Sequence, residues 1–469
     1  MSTTATAFDP QTLEGLLTDG GKVLTAPDDL AAYGCDWTRI YDPAPLAVVL
    51  PKSTEEVQAI VRYANEQHMP LVPSGGRTGL SAGAVAANGE LVVAMDRMNR
   101  ILDFNANDRL VQCEAGVVTE QLQQYAEEQG LYYPVDFASA GSSELGGNIA
   151  TNAGGIKVIQ YGMTRDWVLG LKVVTGAGEI LELNNGLEKN NTGYDLRHLF
   201  IGGEGTLGFI TEATMKLARQ PSNLTVMVLG LNDLSNTMDV LQSFRSKLDL
   251  TAYEFFSNEA IGHVQAHAEV PRPFETECPY YALLEFEATS EGVMEEAMAL
   301  FEHCVEQEWV VDGVISQSES QAAKLWQLRE RISESIAPHT PYKNDLSVRI
   351  SRVPDFLNEI HSVVSKEYPD FEIIWYGHIG DGNLHLNILK PGDMEKQEFF
   401  KRCETVNDMV FDIVQRYEGS VSAEHGVGMV KKKYLGFTKS AEEIAVMKGI
   451  KKVFDPNGIM NPGKLIDTE

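Results

Sequence analysis

Basic residues are scarce in this chain: 38 lysines and arginines stand against 67 acids over 469 residues, a formal net charge of −29. That field repels phosphate backbones and anionic lipid, so neither nucleic acid nor a membrane surface is expected as main partner. An anionic substrate would need local Arg or Lys. Cysteine is sparse too. The five copies (Cys35, Cys113, Cys278, Cys304, Cys403) are scattered and form no Cys-x-x-Cys. This argues against a disulfide framework, a zinc cage or an iron–sulfur set, and for reduced thiols in a cytoplasmic protein. No run of about 18 apolar residues occurs, so no transmembrane segment is expected. Met1–Lys22 has neither the basic region nor the apolar run of a secretory signal. Low-complexity tracts and short repeat periods are also missing. What remains is a 43% hydrophobic chain, long enough for two or three domains with sizeable cores.

The most informative segment is Tyr376-Gly377-His378-Ile379-Gly380-Asp381-Gly382-Asn383-Leu384-His385-Leu386-Asn387. Asp-Gly between apolar runs is a two-residue hairpin signal, because that turn needs positive φ. With Asp381-Gly382 as the turn, His378 faces His385, and Tyr376, His378, His385 and Asn387 share one face. Ser422-Ala423-Glu424-His425-Gly426 adds a carboxylate and a third imidazole downstream. Two histidines and a carboxylate suit Zn²⁺, Mn²⁺ or Fe²⁺ with open positions. The metal set is therefore His378, His385 and Glu424, zinc first, with His425 turned to the reaction. The alternative is a polar hairpin with satisfied core histidines.

Along the chain, Leu46–Leu50, Pro70–Pro73, Leu91–Met95 and Leu110–Cys113 read as strands. Ser53–His68 reads as a helix with a Ser53/Glu56 capping box, and Thr119–Gln129 as another helix. Pro134–Gly155, dense in Gly, Ser, Thr and Asn, reads as a surface lying against a large ligand. After about Pro221, strands (Leu224–Leu231, Tyr281–Glu287, Asp345–Ile350) alternate with helices (Leu234–Leu248, Gly292–Gln307, Phe399–Tyr417), an α+β pattern with antiparallel hairpins.

Pro73-Ser74-Gly75-Gly76-Arg77-Thr78-Gly79 can expose successive N–H groups as a phosphate nest, with Arg77 and Thr78 as further donors. A plain turn is the competing reading. Gly203-Glu204-Gly205-Thr206-Leu207-Gly208 matches GxGxxG, but Phe209-Ile210-Thr211 after it is strand-forming. No helix N-terminus would meet a pyrophosphate, so the dinucleotide fingerprint is rejected.

Together with Gly147-Asn148-Ile149-Ala150-Thr151-Asn152-Ala153-Gly154-Gly155 and Asn461-Pro462-Gly463-Lys464, these motifs run in family order over almost the whole chain. The chain resembles the flavoenzymes of the vanillyl-alcohol oxidase type, in their 2-hydroxyacid dehydrogenase branch. The resemblance implies an α+β fold: a two-subdomain FAD-binding domain (PCMH-type, residues 1–221), a substrate-binding cap domain with antiparallel sheet (222–420) and a C-terminal segment returning to the flavin (421–469). It implies non-covalent FAD, since Gly76 and Arg77 stand where some relatives carry the attaching residue. The implied FAD contacts are Pro73, Gly75, Gly76, Arg77, Thr78, Gly79, Gly141, Ser142, Gly147, Asn148, Thr151, Asn152, Gly154, Glu204, Gly205, Ile210 and Asn461.

Within the hydroxyglutarate branch, substrate contacts map onto Arg329, Ser333 and Lys343, with Arg329 and Lys343 on the distal carboxylate; Asn387, on the metal face of the hairpin, is a further donor to a substrate carboxylate. Ser333 stands where the family usually has threonine, and Arg349 where it often has proline. Without the resemblance, Arg329 and Arg331 read more simply as a solvated helix face. The implied reaction oxidises D-2-hydroxyglutarate (and D-malate) to the 2-keto acid. His425 acts as base near neutral pH, hydride goes to flavin N5, and electrons leave to an electron-transfer flavoprotein or quinone. A homodimer is expected. The alternatives are a D-lactate or glycolate dehydrogenase of the same family, a flavin-free metalloenzyme using the His-His-Glu set, and a flavin-binding subunit of a larger complex.

Overall fold

The structure is a computed structural model describing residues 9–18, 20–268 and 270–467. The chain divides into two units. The first comprises Met1–Gly154, Met163–Gln220 and Glu424–Glu469; the second comprises Gly155–Gly162 and Pro221–Ala423. The short Gly155–Gly162 stretch, covalently inside the first half, thus packs with the second.

The first unit contains two principal sheets. One runs in the order Lys22–Leu24, Ala47–Leu50, Leu91–Ala94, Leu71–Ser74, its first pair antiparallel and the others parallel. The helix Thr54–Gln67 makes the crossover, burying Val57, Ile60, Val61 and Ala64. Ser53 caps it, accepting from Glu56 N at 3.2 Å. The expected box is only half formed, because the Glu56 carboxylate instead accepts from Lys52 N and Thr18 N. The other sheet is antiparallel: Ile101–Asn105, Leu110–Glu114, Gly208–Lys216, Val168–Thr175, Ile180–Leu183. Gly203–Gly208 does lead into a strand, as its sequence implies. The glycine-rich Pro134–Gly155 stretch is not all loop: Leu145–Thr151 is helical.

The second unit is built on a seven-stranded antiparallel sheet. Its order is Asp312–Ile315, Leu224–Leu231, Tyr280–Glu287, Leu250–Ser257, Ile373–Gly377, Asn383–Ile388, Tyr342–Ser347. Helices Asn258–Ala268 and Glu319–Glu330 cover one face. Ile261, Val264, Leu325 and Trp326 pack there on Val226, Ala252, Phe256, Leu283, Ile374 and Tyr376. The central strand Leu250–Ser257 is buried at every position. It shows no period-two alternation, which is why its sequence does not announce it. Among the described residues no helix is long and apolar enough to cross a membrane.

Candidate active site

In the first unit a cleft forms where the turn after Leu71–Ser74 meets the start of Leu145–Thr151 and the Gly203–Gly208 turn. The close approach is possible only for glycine at position 76: a Cβ there would lie 2.0 Å from the Ser142 carbonyl oxygen. Arg77 sits at φ 59°. Its guanidinium is already engaged, donating to Gly75 O at 2.6 Å and to Asp96 Oδ1 at 3.0 Å, with Tyr33 stacked beneath. It is therefore the loop's internal clamp more than a spare donor for phosphate. Glu144 lines the same cleft, with Oε2 buried and without a hydrogen-bond partner. Burial, aided by Asp96 and opposed by Arg77, pushes its carboxyl up to about 8.

Glu204, at φ 49°, also lines the cleft. Both carboxylate oxygens accept backbone N–H groups, from Val427 at 2.8 Å and Gly428 at 2.7 Å. Burial raises its pKa against those bonds. Its carboxylate thereby holds the glycine segment that follows His425, while the residue itself stays in the cleft lining. Asn461 ties the tail to the same turn, donating to Gly83 O and Glu204 O. In this segment His425 Nε2 lies 3.8 Å from Glu424 Oε1.

In the second unit the hairpin departs from its expected register. Tyr376, not His378, faces His385, and Ile374 faces Asn387. Gly382 has φ 89° while Asp381 stays at negative φ. A two-residue type I′ turn needs both positive, so the connection widens to residues 378–382. Asp381 N donates to His378 O and Gly382 N to Ile379 O. The register slips by two, an even number that preserves the faces. The imidazoles still meet, ring centroids 5.4 Å apart at 82°.

Helices cover that face. Directly paired residues share a face, so Lys343 joins Asn387 and Asp345 joins His385. Asp345 Oδ1 accepts from Asn383 Nδ2 at 2.8 Å and lies 3.8 Å from His385 Nδ1. Lys343 donates to Ser333 Oγ at 2.9 Å, and burial lowers its pKa to about 8. Arg329, read from sequence as solvated if taken alone, is only 6% exposed. Its Nε lies 2.8 Å from Glu254 Oε2. The angle is too poor for a hydrogen bond, so Nε and Nη2 remain without hydrogen-bond partners. Asn387 Nδ2 points to the carbonyls of Ile374 and His385 at 3.4 Å.

Residues 45–184 match the family described as FAD binding domain, and residues 220–465 match FAD linked oxidases, C-terminal domain. The chain belongs to the FAD-linked oxidases. This FAD-linked oxidase is 65% identical over 459 residues to the D-2-hydroxyglutarate dehydrogenase of Stutzerimonas stutzeri (strain A1501), spanning 97% of this chain and 99% of that one. A protein of the same name from Xanthomonas citri pv. viticola is 57% identical, covering 95% and 94% of the two chains. Two solved structures share the fold. The 4-ethylphenol oxidase from Gulosibacter chungangensis gives a TM-score of 0.75 at 18% identity, covering 97% of this chain and 96% of that one. The p-cresol methylhydroxylase gives 0.74 at 16%, covering 98% and 96%. The α+β architecture of the vanillyl-alcohol oxidase type is thus the fold of this FAD-dependent oxidoreductase.

Of the expected FAD contacts in this FAD-linked oxidase, Pro73, Gly75, Gly76, Arg77, Thr78, Gly79, Gly147, Asn148, Thr151, Glu204, Gly205 and Ile210 line the cleft. Gly141, Ser142, Asn152, Gly154 and Asn461 are not among its lining residues. Asn152 is turned to Met163 and the Arg165 backbone. Sequence reasoning missed Asp36 and Glu144 in the cleft and Glu254 beside the histidines. A lone acid inside a glycine-rich or apolar run is the signal that was there to find.

Proposed function

We propose that this flavoenzyme oxidises D-2-hydroxyglutarate to 2-oxoglutarate. The supporting observation is the gathering of Arg329, Ser333, Lys343, His385 and Asn387 over one helix-covered sheet face. A buried guanidinium with unsatisfied donors beside a lysine suits a second carboxylate, and a planar fork suits it best. The 65%-identical relative bearing that substrate's name supports the same choice. The glycine cleft fits FAD: it offers backbone N–H groups at closest approach and no cysteine or histidine for covalent attachment among its lining residues. Residues His378 and His385, with Glu424, suit a divalent metal, zinc first, since each imidazole Nδ1 faces a carboxylate. When bound, FAD supplies a two-electron acceptor and the metal a Lewis acid for the substrate hydroxyl.

The chain's own residues do the rest. Arg329 and Lys343 hold the distal carboxylate and fix the substrate's length and direction. Ser333 holds Lys343 in place. His425 takes the hydroxyl proton as the carbonyl forms. D-malate is a second expected substrate, an electron-transfer flavoprotein or quinone the acceptor, a homodimer the assembly and the cytoplasm the compartment. The deciding experiment is anaerobic flavin bleaching by D-2-hydroxyglutarate, D-malate and D-lactate, with and without chelator. His425→Ala should stay yellow and metal-loaded yet fail to bleach. A colourless protein, or bleaching by D-lactate alone, would overturn the reading.

A further inference from the structure

Glu254 is an anomaly in the apolar strand Leu250–Ser257. It lies on the helix-covered face between Ala252 and Phe256, and only 1% of it is exposed. A carboxylate so buried needs partners, and it has two of different kinds. Oε1 lies 2.8 Å from His378 Nδ1, and Oε2 lies 2.8 Å from Arg329 Nε. The two partners also meet around the other side. His378 packs edge-on against His385, His385 lies 5.0 Å from Tyr376, and Tyr376 carries the Arg329 guanidinium 4.7 Å above its ring. Five side chains thus close a ring in which Glu254 is the only acid.

The backbone holds that ring in register. Gly380 N donates to Tyr253 O at 3.0 Å, one residue before Glu254. A Cβ on Gly380 would come within 2.8 Å of Tyr253 Cβ, so the loop carrying His378 lies flat on the Glu254 strand.

We propose that Glu254 is a shared positioning residue that sets both the metal-binding imidazole and the guanidinium for the distal carboxylate. This rests on the metal and substrate reading above. By accepting from Nδ1 the carboxylate keeps the proton there and leaves the Nε2 lone pair for a cation. By pairing with Nε it holds the Arg329 fork to one side while Nη2 keeps its donor for substrate. One carboxylate therefore couples metal affinity to recognition of substrate length, which two separate supports would not do.

The test compares wild type, Glu254→Gln, His378→Ala and Arg329→Ala as flavin-loaded protein, using zinc as the metal probe. Zinc affinity is read by competition with a chromophoric chelator, and KM for D-2-hydroxyglutarate against D-lactate by dye reduction. Glu254→Gln should weaken zinc by about 10–100-fold, as loss of a histidine's outer carboxylate does. It should also raise KM for the dicarboxylate about tenfold more than for D-lactate. A variant with wild-type zinc affinity and an unchanged KM ratio, even with a lowered melting temperature, would reduce Glu254 to a structural counter-ion and overturn the proposal. If His378→Ala keeps zinc as wild type does, the metal reading itself fails. If His378→Ala loses zinc and Glu254→Gln does not, only the present inference fails. A wild-type measurement guards against misfolded variants: ¹⁵N shifts of His378 should report the Nδ1–H tautomer, and the Nε2–H tautomer would contradict the proposal.

Discussion

Lys343 donates to the hydroxyl of Ser333 at 2.9 Å from within a buried surround that lowers its pKa from 10.5 to about 8. A neutral hydroxyl does not stabilise the ammonium as an acid would, so desolvation dominates. Recognition of a distal carboxylate needs the charged form. Above pH 8 the free enzyme loses that charge, and KM for D-2-hydroxyglutarate should rise toward tenfold per pH unit, while KM for D-lactate stays flat. Lys343→Arg, charged throughout, should flatten the dicarboxylate profile. The stability sign is the opposite. Between pH 8 and 10.5 the unfolded chain binds more protons at this site, so its contribution to stability rises with pH. KM profiles from pH 6 to 10 for both substrates check the first claim, and a parallel rise for D-lactate would sink it.

Glu144 carries the reverse perturbation, a carboxyl raised from 4.5 to about 8 by burial, then by Asp96. Between those values the unfolded chain has lost the proton and the folded protein keeps it. The apoprotein should therefore lose stability as pH rises from 4.5 to about 8, and stay at the lower level beyond. In a cleft suited to pyrophosphate a neutral carboxyl is also an asset, because an ionised one repels phosphate. FAD should dissociate more readily above pH 8 in wild type, and Glu144→Gln should remove that pH dependence. Flavin fluorescence on release, followed across pH, decides it; identical profiles would refute the role.

Gly76 and Gly147 line the same cleft but differ in what a methyl group would meet. At Gly76 it collides with the Ser142 backbone; at Gly147 nothing lies within 4 Å. Gly76→Ala must move backbone, costing about 1–3 kcal/mol as overpacking does. Gly147→Ala, inside the helix Leu145–Thr151, should be neutral or stabilising by up to about 1 kcal/mol. Thermal melts of the two apoproteins should separate, with Gly76→Ala lower.

The glycine turns, the capped helix with its flanking strands and the histidine pair were legible because each rests on local chemistry. Positive φ, a helix cap and strand alternation are all written within a few residues. The hairpin register was not legible, since it hung on whether Asp381 would take positive φ, and that is settled by packing of the loop on Tyr253. The helix Leu145–Thr151 hid behind Gly146 and Gly147, poor helix formers whose cost tertiary contacts offset. Glu254 hid because Leu250–Ser257 is buried on both faces, so no alternation marked it as a strand and no partner was visible nearby. Its partners lie about 75 and 124 positions away along the chain.

Lys157 and Glu285 form an ion pair buried on both sides, with Thr251 Oγ1 and Trp326 Nε1 also donating to the carboxylate. Lys157 belongs to the Gly155–Gly162 stretch, whose fold lies with the second unit although its neighbours in sequence lie in the first. The pair is what a purely apolar anchor could not supply: a specific address for a segment of eight residues between glycines. Removing one partner strands the other charge, so Lys157→Met should cost about 3–5 kcal/mol. Lys157→Met combined with Glu285→Gln should recover part of that loss, because the amide oxygen still accepts from Trp326 without a buried charge. Arg349→Ala, which breaks an exposed pair with Glu418, should shift the denaturation midpoint no further than scatter. Urea unfolding followed by tryptophan fluorescence tests the series. A Lys157→Met midpoint as mild as that of Arg349→Ala would mean the segment is held by Ile156 and Ile159 packing alone.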